Sequence, residues 1–111
     1  MTQLQRTVSI RADDAGKAAA VAGQVVLAMA LRAGFSPLTA DRLGVDVAGA
    51  LSEISGPLEL ALGAEGGRLE ALLGCAGPEA PHLARSLDGH GASVVAGGVE
   101  LVLTRTELRA V

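Results

Sequence analysis

The chain has 111 residues, half of them hydrophobic, one aromatic side chain (Phe35) and a formal net charge of −3. That length fits one domain with its own core, spanning 1–111. The nine basic residues are scattered with no stripe to hold phosphates, which excludes nucleic acid as a partner, and the lone Cys75 excludes an internal disulfide and fits a reducing compartment.

Residues 7–10, TVSI, read as a short strand. Asp13 and Asp14 follow, suited to cap a helix and to place negative charge at its positive end. The first helix is expected over 15–33, closed by Gly34. Val21, Val25, Ala28 and Leu31 or Arg32 follow helical spacing, with Ala18, Ala22 and Met29 widening that face. A helix so apolar needs cover on more than one side. Its small side chains Ala18, Ala22, Ala30 and Ala33 also offer a face on which a second copy or another partner can approach closely. The apolar run 18–31 is interrupted by Gly23 and Gln24, short of the roughly 20 strongly apolar residues of a membrane span, and lacks the basic flank of a signal peptide. The expectation is a soluble, cytoplasmic protein without a membrane partner.

The second helix, expected over 36–54, has the clearest pattern. Leu43, Val47, Ala50, Leu51 and Ile54 form one apolar stripe, while Arg42, Asp46, Gly49 and Glu53 lie on the other side. Arg42 and Asp46 are four apart and can pair. Ser36 caps the start, Pro37 sits where its missing N–H costs nothing, and Gly56-Pro57 stops the helix.

Beyond Pro57 the period changes to two. Leu58, Leu60 and Leu62 alternate with Glu59 and Ala61 as a half-buried strand. Gly66-Gly67 reads as a hairpin turn, and residues 68–73 return with Leu69, Ala71 and Leu73 inward. Residues 74–81, GCAGPEAP, read as a loop, followed by a short helix over 82–87 that Gly89-His90-Gly91 breaks. A third strand over 92–96, a Gly97-Gly98 turn and a fourth hairpin strand over 99–105 complete the pattern, and 107–111 read as a frayed end. The expected fold is α+β, a two-layer sandwich with helices on one face of a mixed, mostly antiparallel sheet.

Few side chains suggest chemistry by their spacing. Cys75 has no neighbouring cation in sequence to lower its pKa and reads as a small structural residue. Cys75, His82 and His90 lack the paired spacing of a zinc site, so no metal is expected. Asp46 and Glu53 are seven apart, about 10 Å along a helix, and read as a solvated face.

The strings SIRADDAGKAAAVAGQVV, LRAGFSPLTADRLGVDVAGALSEI, GPLELALGAEGGRLEALLGCAGP and SLDGHGASVVAGGVELVLTR, in this order, resemble the GHKL ATPase superfamily of gyrases, heat-shock chaperones and histidine kinases, most closely its bacterial anti-sigma-factor serine kinases. The resemblance implies a histidine-kinase-ATPase-like fold. It also implies a glutamate and, four residues on, a magnesium-holding asparagine in the second helix, which fall at Val47 and Leu51. An adenine-binding aspartate falls at Cys75, and the glycine two residues later at Gly77. Magnesium takes oxygen ligands, which neither Leu51 nor the shifted position Ala50 supplies, and a thiol does not replace a carboxylate on the adenine amino group. GPEAPHLARSL leaves no room for the family's lid.

The expectation is therefore a non-catalytic regulatory protein without cofactor, acting by protein–protein binding to a sigma factor or an anti-sigma antagonist through Arg42, Asp46 and Glu53, with a homodimer as a further mode of association. Two alternatives stand beside it: an active kinase that takes ATP and magnesium, and a small-molecule sensor using the vacated nucleotide pocket.

Overall fold

A computed structural model describes residues 8–75, 77–95 and 98–104. In chain order the elements are β1 (Val8–Ala12), α1 (Ala15–Arg32), α2 (Pro37–Leu51), β2 (Leu58–Glu65), β3 (Arg68–Gly74), a 3-10 turn (Gly77–Glu79), α3 (Ala80–Ser86), a second 3-10 turn (Asp88–His90), β4 (Ser93–Val95) and β5 (Gly98–Thr104). The sheet order is β1-β2-β3-β5-β4 and all four pairings are antiparallel. The three helices pack against this open sheet as an α+β two-layer arrangement.

Period-two alternation decides which sheet face is covered. Leu60, Leu73 and Val99 stand opposite one another across β2, β3 and β5, as do Leu62, Ala71 and Leu101, and all six are buried. The interleaved Glu59, Leu72, Glu100 and Val102 are exposed on the other face, with Glu70 half-buried. The β2–β3 turn uses one left-handed residue of the glycine pair, Gly67 at φ 75°. The Gly67 N–H donates to the Ala33 carbonyl at 2.6 Å, which ties the hairpin tip to the end of α1.

α2 follows its pattern closely. The Ser36 hydroxyl accepts the Thr39 N–H at 3.2 Å, Pro37 opens the helix, and Leu43, Val47, Ala50 and Leu51 are all buried; the helix ends at Leu51, short of the expected 54, where the Ser52 hydroxyl donates to the Gly49 carbonyl at 2.7 Å, and Ile54 is buried just beyond it. At α1 the Asp14 carboxylate accepts the Gly16 N–H at 3.0 Å. The buried face of α1 differs from the expected one: Ala15, Ala19, Ala22, Gly23, Val26, Met29 and Ala30 face inward, while Val21 and Leu31 are 59% and 45% exposed. The reason is close approach. α1 lies tightly against α2, where a Cβ built on Gly23 would stand 2.7 Å from the Gly44 carbonyl oxygen, so only small side chains fit that side. Ala22, Ala30 and Ala33 are consequently core residues, and the small-residue face expected to receive a partner is already covered by this chain's own elements. α1 has the length and apolarity of a membrane span, with 39% of it buried inside the fold.

Further along, α3 begins at Ala80, two residues before the expected start, because Pro81 is accommodated in its first turn. β1 continues to Ala12, and β4 covers only Ser93–Val95. Thr7, Ala96, Gly97, Arg105 and the expected frayed end 107–111 lie outside the described residues.

Candidate functional site

The positions singled out by the sequence divide into three places. Val47 and Leu51 lie on the inward face of α2, 1% and 0% exposed, in one apolar core with Leu43, Leu58, Leu83 and Leu87. α3 packs against α2 and contributes Leu83, and Leu87 closes its end; both are fully buried. Among the described residues, no polar or charged residue is buried.

Cys75 follows β3 and is half-buried. Burial pushes its thiol pKa above the ordinary value, and the Glu79 carboxylate raises it further. Both effects favour the protonated thiol, the less nucleophilic form. Cys75 lines an open cleft of about 420 Å³ with Arg11, Asp13, Pro57, Glu59 and Gly74. None of the cleft's walls comes from α2. Cys75 also packs against the edge of the apolar core that holds Val47 and Leu51. Gly77 opens the first 3-10 turn.

The third place is the outer edge of α2. Arg42 and Asp46 are exposed there, and Glu53 is exposed just past the helix end. Asp46 turns to the C-terminal half of the chain and not to Arg42: its Oδ2 accepts from His90 Nε2 at 2.7 Å. Glu53 Oε1 likewise accepts from His82 Nε2 at 2.9 Å. Both contacts require the proton on Nε2, as in one neutral tautomer or in the imidazolium. They join α2 to α3 and to the second 3-10 turn, above the buried Leu83 and Leu87. The His90 side chain is only 15% exposed, so this contact is the better shielded of the two.

The two histidines are the residues that sequence reasoning missed in this role. A signal existed: Asp46 and Glu53 are seven apart, and His82 and His90 eight apart, so two acids and two bases have matched separations. Among the described residues no group of three or more His, Cys, Asp or Glu side chains is gathered as a metal site would need. Asp14, one of the two adjacent aspartates, is occupied as a helix cap. Gly89-His90-Gly91 forms a turn, with Gly91 in the left-handed region.

The arrangement offers a surface of mixed charge over an apolar interior. In comparisons with known proteins, no family model and no curated protein matches the chain.

Proposed function

We propose that this chain is a non-catalytic regulatory domain of the anti-sigma-kinase-like type, cytoplasmic, which works by binding another protein. The observation that carries the reading is the occupancy of α2's inward face: the two positions that the resemblance assigns to nucleotide chemistry are Val47 and Leu51, buried against Leu83 and Leu87. A magnesium–phosphate group needs oxygen donors and room, and each of these side chains supplies an apolar surface in their stead. The same filling weighs against an apolar ligand held in that place. The partner surface is the outer edge of α2, where Arg42 is exposed beside the histidine-paired Asp46 and Glu53. A sigma factor or an anti-sigma antagonist is the class of partner that the resemblance implies.

Two measurements test this. Isothermal titration of the full chain with ATP and magnesium is expected to give no heat of binding, and magnesium-dependent micromolar affinity would overturn the non-catalytic reading. Binding to sigma factors and antagonists encoded beside the gene is expected to weaken on Arg42→Glu. A partner that binds with unchanged affinity after that substitution would move the interface elsewhere.

A further inference from the structure

The cleft beside Cys75 lies at one end of the sheet, where β1 ends, β2 begins and β3 ends. Strand register explains the space. Arg11 on β1, Glu59 on β2 and Gly74 on β3 stand opposite one another. The first two carry long side chains on the outer face of the sheet, and Gly74 has none with which to fill the place beside Glu59. The apolar part of the lining is Ala12, Pro57 and Leu58, together with the half-buried Cys75.

The charges of this lining do not cancel. Arg11 and Glu59 pair at 2.7 Å and offset one another. Asp13 is exposed and makes no hydrogen bond or ion pair among the described residues. One uncompensated charge is left, and it is negative. The neighbouring Glu79 carboxylate has the same sign and adds to the upward shift of the Cys75 thiol.

We propose that the cleft binds a small organic cation, a primary amine on a short apolar chain, with its ammonium at the Asp13 carboxylate and its chain along Ala12, Pro57 and Leu58. The volume of about 420 Å³ falls within the range of small-ligand sites, and an apolar lining with a few polar groups is their usual make-up. An ammonium makes a charge-assisted hydrogen bond with a carboxylate that has no other partner. An anion finds only Arg11, which Glu59 already holds. A neutral apolar molecule strips water from the Asp13 carboxylate and returns no hydrogen bond. A bare metal ion lacks ligands, because among the described residues no three His, Cys, Asp or Glu side chains are gathered. The cleft shares no wall with α2, so this site and the partner-binding surface stand or fall separately.

The test is a charge series on one body: pentylamine, pentanol and pentanoate, each titrated into the full chain and followed by amide NMR, with far-UV circular dichroism to check the fold. Pentylamine is expected to give saturable shifts at Asp13, Gly74 and Cys75, with the other two at least about tenfold weaker. Asp13→Asn, at an exposed position, is expected to weaken pentylamine about tenfold, and Asp13→Glu to retain it. Arg11→Gln releases Glu59 as a second carboxylate and is expected to tighten binding several-fold. Pentylamine is also expected to slow alkylation of Cys75 by iodoacetamide at fixed pH, which locates the amine in the cleft. The proposal is overturned by any of four results: no saturation below about 20 mM, equal binding of the three probes, tighter binding of pentanoate, or an affinity unchanged in Asp13→Asn.

Discussion

Gly44→Ala and Gly49→Ala make the same chemical change in the same helix, and the packing of α1 on α2 gives them opposite signs. A Cβ on Gly44 would lie 2.7 Å from the Gly23 carbonyl oxygen and 3.3 Å from the Leu27 Cβ, whereas a Cβ on Gly49 would meet nothing within 4 Å. The close neighbour of Gly44 is backbone, so relief requires the two helices to separate. Overpacking of this kind costs about 1–3 kcal/mol, and alanine returns about 1 kcal/mol through helix propensity. Gly44→Ala is then expected to lose about 1 kcal/mol net and Gly49→Ala to gain up to about 1 kcal/mol. In a domain of this size each kcal/mol moves Tm by roughly 4–8 °C, so the two variants are expected to melt about 8–16 °C apart. Circular dichroism at 222 nm measures this directly at low micromolar concentration. Equal Tm values, or a more stable Gly44→Ala, would refute the close approach of the helices.

Three further outcomes follow from the core and its edges. Leu51→Asn, which places an amide where the resemblance expects a magnesium ligand, puts a polar group at a site 0% exposed; it is expected to cost about 3–5 kcal/mol and to confer no binding of ATP with magnesium, and a variant that keeps its Tm and binds nucleotide would sink the account of α2. Cys75 is expected to react with iodoacetamide at pH 8.5 more slowly than a free thiol, and Glu79→Gln to quicken it; because its folded pKa is raised, the stability it contributes is present below the ordinary thiol pKa and is lost as pH rises above it, and a faster-than-free rate would contradict the burial argument. A double-mutant cycle with Asp46→Asn and His90→Gln is expected to give a coupling of about 0.5 kcal/mol, with faster amide exchange in α3; zero coupling would mean that the 2.7 Å contact ties nothing down.

Much of the layer order was legible because contrast in the sequence was high. Leucines alternating with Glu59 and Glu70 mark the hairpin, and the charged residues of α2 leave one face for its stripe. In α1 that contrast fails: alanine, valine and glycine occupy every side, so periodicity alone favours the large Val21 and Leu31 as the inner face. The fold buries the small residues, because the distance between α1 and α2 is set by Gly23 against Gly44, 21 residues apart. The pairing of Asp46 was misread for a related reason. Arg42–Asp46 is a local pair visible at a spacing of four, while the observed partner His90 comes from 44 residues away. Local spacing weighs the first and is blind to the second.

The two rims of the sheet differ in what they expose to a stranger. β4 presents three residues, and at that length an intruding strand finds only a few backbone groups before the ladder ends. β1 presents five, with Arg11 drawn across to Glu59 at 2.7 Å. Short borders and a charged clasp discourage the end-to-end stacking that turns open sheets into fibrils, so a leucine-rich interior is kept from becoming a seed.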